Sequence, residues 1–172
     1  MKASPYQVLF LCTGNSARSI LAESILNHDG EGRFRAFSAG SHPNGQVHPA
    51  AIGLLKKLGH PSASLRSKSW DEFSGPKAPR IDFVFTVCDS AAAEVCPVWP
   101  GQPVSAHWGL PDPAAVDGTQ HQIDLAFAKT YQMLEHRIAL LVDLPLESLD
   151  SVSLQKQLDA IGNAGPSPKN IS

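Results

Sequence analysis

The strongest constraint on the fold is the unbroken apolar run Val8-Leu9-Phe10-Leu11. It leads directly into Cys12-Thr13-Gly14-Asn15-Ser16-Ala17-Arg18-Ser19 and then into apolar residues at helical spacing, Leu21, Ile25 and Leu26. A strand with one wet face alternates apolar and polar residues, whereas a run without alternation is covered on both faces and belongs in a parallel sheet between helices. Gln7 to Leu11 therefore reads as a buried parallel strand and Ala17 to His28 as the helix that follows it, ended by Asp29-Gly30-Glu31-Gly32.

The rest of the chain repeats this grammar. Phe34 to Ser38 reads as a second strand, and His48-Pro49 opens a helix with Ala51, Leu54, Leu55 and Leu58 at helical spacing before Gly59. Ile81 to Val87 is a β-branched and aromatic strand, Val104 to His107 a short one within a Pro/Gly-rich stretch from Pro97 to Pro113. Ile123 to Val142 is a long helix with Ile123, Phe127, Leu134, Ile138 and Leu141 on one face. Strands alternating with helices imply an α/β fold with a mostly parallel sheet.

A chain of 172 residues suits one domain. We expect it over 1–145, with 146–172 as a polar C-terminal extension: Leu149 to Ile161 forms a marginal helix and Gly162 to Ser172 a flexible tail. A net charge of −2 gives no electrostatic footprint for nucleic acid, so any bound anion must be held by local groups. No segment approaches the ~20 apolar residues of a membrane span, and the N-terminus lacks a signal-type apolar region, which predicts a cytoplasmic protein with no membrane partner. Three cysteines, Cys12, Cys88 and Cys96, are an odd set for a disulfide framework and point to reactive or metal-binding thiols.

A loop between a strand and a helix N-terminus presents unpaired N–H groups and the positive end of the helix dipole to an anion. Thr13, Gly14, Asn15, Ser16, Ala17, Arg18 and Ser19 are the candidate oxyanion-binding residues, Arg18 adding a fork of donors matched to two oxygens. The same field predicts a lowered pKa and a thiolate for Cys12, with Ser19 donating a hydroxyl to it and Asn15 tolerating a left-handed backbone. The plain alternative is a buried strand-end cysteine beside a capping serine. Cys88 follows the strand Ile81 to Val87, so a parallel sheet puts it on the same carboxyl edge as Cys12. A zinc site of Cys88, Cys96 and His107 lacks a paired-cysteine knuckle and a fourth ligand, and no metal is expected. His48 and His60 read as surface or capping groups, His121 and His136 as members of a solvated face, Trp99 as a loop anchor and Trp70 as packing against the sheet.

Cys12 to Ser19 resembles the phosphate-binding loop of the low-molecular-weight protein tyrosine phosphatases and of the arsenate reductases built on that fold. Phe37-Ser38-Ala39-Gly40 resembles the family's second-strand motif, and His107-Trp108-Gly109-Leu110-Pro111-Asp112-Pro113 its acid loop. The resemblance spans roughly residues 6 to 142. It implies a three-layer fold with a central four-stranded sheet flanked by helices. The stretch from Val87 to Pro97 resembles the redox segment of the reductases, which implies a thiol relay. In it Cys12 attacks arsenate held by the loop and Arg18, Asp112 protonates the departing oxygen, Cys88 attacks Cys12, and Cys96 attacks Cys88. An external thiol system, thioredoxin or glutaredoxin with glutathione, then reduces the final disulfide, and no tightly bound cofactor is needed.

Two alternatives stay open: a tyrosine phosphatase, which the Ala114-Ala115 pair after Asp112-Pro113 disfavours because aromatic residues usually guide substrate there, and a thiol-based oxyanion or redox sensor without turnover. The chain also departs from the reductases in two ways. Asn15, Glu23 and Ser38 match three of four residues that hold a monovalent cation in some members, but the region of the fourth reads Leu65-Arg66-Ser67-Lys68-Ser69, where the expectation is that the Lys68 ammonium supplies the charge in place of the ion. Seven residues separate Cys88 from Cys96, one more than in the best-known thioredoxin-linked members, which leaves the reductant open.

Overall fold

The computed structural model describes residues 4–88, 99 and 102–164. Strands β1 (Tyr6–Cys12), β2 (Phe34–Gly40), β3 (Phe83–Thr86) and β4 (Val104–His107) form one parallel sheet in the order β2-β1-β3-β4. Helices α1 (Arg18–Asp29), α2 (Pro49–Lys57), α3 (Gln120–Val142) and α4 (Ser151–Asn163) complete the α/β architecture expected from the alternation. No helix among the described residues is long and apolar enough to cross a membrane.

Strand parity divides the core. Val8 and Phe10 point into a cluster shared with Ile20, Ile25 and Leu26 of α1, Leu55 of α2, Phe127, Leu134 and Ile138 of α3, and Leu158 and Ile161 of α4. Leu9 and Leu11 face the other way, toward Ala39, Phe73, Ile81 and Val84, with Trp70 and Trp99 packed against them at 6.2 Å from each other in an edge-to-face pair. Side chains on a strand alternate between faces, so both faces of β1 are dry and its run carries no polar residue.

β1 lies between β2 and β3, with Leu11 registered against Ala39 on one side and Thr86 on the other. Its carboxyl end therefore opens at the centre of the sheet edge, and Cys88 lies two residues past the end of β3 on that same edge. Ligands in parallel α/β sheets collect at this edge.

Several local expectations change. α3 begins before Ile123 because Thr119 and Gln122 form a reciprocal capping box, with Gln122 N–H donating to Thr119 Oγ1 at 3.2 Å and Thr119 N–H to Gln122 Oε1 at 2.8 Å. His48 caps α2 through Nδ1, which accepts from the Ala50 N–H at 3.0 Å, but Leu58, read as part of the α2 stripe, is exposed at its C-cap. His60 is buried rather than on the surface, with Nδ1 3.2 Å from Ser24 Oγ and Nε2 2.9 Å from Tyr131 Oη. Ser151 to Asn163, read as part of a polar extension, forms α4 and buries Leu158 and Ile161. Residues 165–172 lie outside the described residues, as does Cys96.

Candidate active site

The loop after β1 is held by its outward carbonyls. Thr13 O, Gly14 O and Ser16 O accept from the N–H groups of His42, Asn44 and His48, each at 2.9 Å, and Ser67 Oγ donates to Gly14 O at 3.1 Å. With those carbonyls satisfied from outside, the Thr13 N–H donates to Cys88 Sγ at 3.3 Å and the Gly14 N–H to Cys12. The loop thus turns amides toward the two sulfurs, and α1 begins at Arg18 without a side-chain cap on its N-terminus or an acidic residue in its first turn. Those orphan donors are the elements of an anion cradle.

Two residues make this curl possible. Asn15 takes φ +46°, in the left-handed region, and is fully buried. Its Oδ1 accepts from the Lys68 N–H at 2.8 Å and its Nδ2 donates to Ser19 Oγ at 2.8 Å, so the side chain spans the loop from both sides. Asn is among the few non-glycine residues that adopt this backbone with little cost. Gly40, at the end of β2, lies so close that an added Cβ would stand 2.4 Å from Thr13 O and 2.9 Å from Cys12 O. That contact gives the Ser38-Ala39-Gly40 motif a steric reason.

Ser19, expected to donate to Cys12, has its oxygen engaged as the acceptor of Asn15 Nδ2, which leaves its hydroxyl hydrogen for a second contact. Beneath the loop, Ser38 Oγ donates to Glu23 Oε1 at 2.5 Å and the buried Lys68 ammonium lies 3.8 Å from the same carboxylate oxygen while donating to Arg66 O at 3.0 Å. Burial pushes the Glu23 carboxyl up and the Lys68 ammonium down, and on neither partner does their mutual attraction outweigh it. A buried pair in this balance contributes little net stability but is costly to break from one side. The Lys68 side chain thus faces Glu23 and Ser38, two of the residues that the resemblance links to a cation site.

The thiols of Cys12 and Cys88 are both buried, and close enough that Cys88 is the largest influence on the Cys12 proton. Thr13 Oγ1 also lies 3.5 Å from Cys88 Sγ. Two sulfurs this close can share one negative charge but not carry two. The contact with Cys88 and then burial push the Cys12 thiol up, against the Arg18 guanidinium and the Gly14 N–H, which pull it down. The isolated low-pKa thiolate expected at Cys12 is therefore corrected to a thiol pair, in which the second proton is held well above the usual thiol range.

Arg18 reaches across to the acid loop. Its Nη1 donates to Leu110 O at 2.9 Å, its Nη2 lies 3.6 Å from Asp112 Oδ2, and its buried Nε has no hydrogen-bond partner among the described residues. Asp112 is 40% exposed on its side chain and accepts from the Ala114 N–H at 2.9 Å through Oδ1, capping a short 3₁₀ turn, Pro113–Ala115. The Leu110 carbonyl was not legible in the sequence, because a backbone acceptor leaves no residue-type signal. Cys12, Arg18, Cys88 and Asp112 thus converge with the loop; the place of Cys96 is outside the described residues. Among the described residues no group of three or more His, Cys, Asp or Glu side chains is arranged to hold a metal ion.

Residues 7–158 match the family described as low molecular weight phosphotyrosine protein phosphatase. An arsenate reductase from Halalkalibacterium halodurans is 34% identical over 131 residues, 76% of this chain and 91% of that protein. Among solved structures, an arsenate reductase from Archaeoglobus fulgidus superposes with a TM-score of 0.60 at 28% identity, over 80% of this chain and 99% of that one. A thioredoxin-dependent arsenate reductase from Corynebacterium glutamicum superposes with a TM-score of 0.54 at 25% identity, over 82% of this chain and 65% of that one.

Proposed function

The chain belongs to the low molecular weight phosphotyrosine protein phosphatase family, and within it we propose that the protein reduces arsenate to arsenite. The observation that carries this reading is a second buried thiol at the loop: Cys88, whose Sγ accepts from the Thr13 N–H, the amide next to Cys12. Hydrolysis needs one nucleophile, an arginine and an acid, and gains nothing from a second thiol against the first. Two-electron reduction needs that second thiol.

Cys12 attacks arsenate held by the loop amides and Arg18, forming a sulfur–arsenic(V) bond, while Asp112 gives a proton to the oxygen that leaves as water. Cys88 then attacks the Cys12 sulfur. A Cys12–Cys88 disulfide forms, the sulfur–arsenic bond breaks, and its electron pair stays on arsenic, which leaves as arsenite. Two thiols are oxidised and one arsenic(V) is reduced to arsenic(III). Cys96 attacks Cys88 next, passing the disulfide outward to Cys88–Cys96 and freeing Cys12. Thioredoxin, or glutaredoxin with glutathione, reduces the outer disulfide in a reducing compartment such as the cytoplasm. The thioredoxin-dependent C. glutamicum relative supports the first of these reductants.

Consumption of NADPH by each coupled reductant system tests this. We expect oxidation that depends on arsenate and on this protein; arsenate-independent hydrolysis of an aryl phosphate without NADPH use overturns the reading in favour of a phosphatase.

A further inference from the structure

The acid loop lies on the surface, yet it is held from beneath by a part of the chain remote in sequence. Trp108 is fully buried, its indole stacked 3.9 Å from the Phe85 ring, and its Nε1–H donates to Leu158 O of α4 at 3.0 Å. Gly162 of α4 lies against the same loop so tightly that an added Cβ would stand 2.4 Å from His107 O and 2.8 Å from Trp108 Cδ1. Gln155 Nε2 donates to Ser105 O of β4 at 2.9 Å. α4 buries fully only Leu158 and Ile161, so these contacts, and not a broad apolar face, locate it.

Arg137 of α3 closes the arrangement. It is 5% exposed, and its hydrogen-bond partners among the described residues are backbone carbonyls: Nη1 donates to Trp108 O at 2.8 Å and Gly109 O at 3.2 Å, and Nε to Ala164 O at 3.0 Å. A guanidinium is the one side chain whose rigid fork can serve the carbonyls of two segments at once without losing its charge. The next carbonyl along the loop, Leu110 O, receives Arg18, and Asp112 lies two residues further on. The order is therefore α4, Arg137, Trp108-Gly109, Leu110 and Arg18, Asp112.

We infer that Arg137 is a positioning residue of the active site: together with α4 it clamps the Trp108-Gly109 peptides and so sets where Asp112 stands beside Arg18. The inference rests on the proposed role of Asp112 as the acid. Small displacements of a reacting group cost large factors in rate while leaving ground-state binding little changed.

The test uses the full chain with Arg137→Met, which keeps bulk and removes the donors, Arg137→Lys, which keeps the charge, and Gly162→Ala, which presses α4 off His107 without touching Arg137. Arg137→Met is expected to lower kcat for arsenate by about 10- to 100-fold with KM within about twofold, and Arg137→Lys to recover part of the loss. In an Asp112→Asn background the same substitution should cost almost nothing, since a residue that acts through Asp112 has nothing left to position. Backbone amide exchange should quicken at Leu110, Ala114 and Ala115 in both Arg137→Met and Gly162→Ala, and stay unchanged at Leu9, Phe10 and Leu11. A loss in KM alone, losses that add in the double variant, or unchanged exchange in the acid loop each overturns the inference. The exchange readout needs no arsenate, so failure of the proposed function and failure of this inference give different results, and Gly162→Ala still judges the clamp if Arg137→Met does not fold.

Discussion

The two loops that meet at Arg18 are built by opposite means. The loop from Cys12 to Ser19 is short in sequence and held along its whole length: Asn15 bridges Ser19 and Lys68, and the amides of His42, Asn44 and His48 take the carbonyls of Thr13, Gly14 and Ser16. The loop from His107 to Pro113 has its acid 40% exposed and takes its position from Arg137 and α4, far along the chain. A cup that must hold a tetrahedral anion is fixed through its outward carbonyls and Asn15, which leaves donors of the helix start and Arg18 Nε for the anion. The acid is held at its base by that clamp, while its carboxylate faces Arg18 at the edge of the solvent.

The difference is open to attack on both sides. Cys12→Ser should abolish arsenate turnover, a loss of at least about a thousandfold in coupled NADPH oxidation, because the acceptor of arsenic is gone. If turnover survives, the nucleophile is misassigned. Asp112→Asn should cost about 10²- to 10⁴-fold in kcat and flatten the pH profile, while phosphate binding measured by calorimetry stays within a few-fold, since the cup does not depend on the acid. Equal loss of binding and rate would show the two loops to be one unit.

Lys68→Met should lower stability in denaturant titrations by about 1–4 kcal/mol, because Glu23 is left buried with Ser38 alone. The same pair predicts little potassium dependence in the parent protein. Strong activation of its turnover by potassium would mean that the ammonium does not stand in for an ion.

The smallest effect is on pH dependence. The Cys12 thiol is raised from its ordinary 9.0, so the folded chain keeps a proton that the unfolded chain loses. Its contribution is complete below pH 9 and is lost as pH rises above it. Tyr131, pushed up to about 12 from 10.0 mainly by burial, acts in the same direction from a higher pH. Unfolding free energy should therefore fall above pH 9, and less steeply in Cys12→Ser; equal slopes would refute the proton-sharing pair.

What could be read from the residues follows the same division. The cup was legible because its signals are local: an apolar strand, small residues, Asn15 in a left-handed turn, Arg18 at a helix start. Lys68 was legible only by comparison, since nothing around it in sequence announces Glu23 or Asn15. The acid loop was legible as a motif but its support was not. Arg137 lies in the buried stripe of α3 between Leu134 and Leu141, and its spacing was a signal that its charge disguised. His60 escaped for a related reason: Ser24 and Tyr131, which bury it, come from two other helices. Cys88 was legible on the same edge, but that it would raise the Cys12 proton affinity was not: the helix and arginine fields read from the motif were outweighed by the nearby thiol and by burial.

The most direct test of the central claim is a single-turnover reaction of the Cys96→Ala protein with arsenate, followed by quenching and peptide mass mapping. A relay in which Cys12 takes the oxyanion and Cys88 completes the reduction predicts one arsenite per chain and a disulfide between Cys12 and Cys88. Arsenate left unreduced with both thiols free would contradict it.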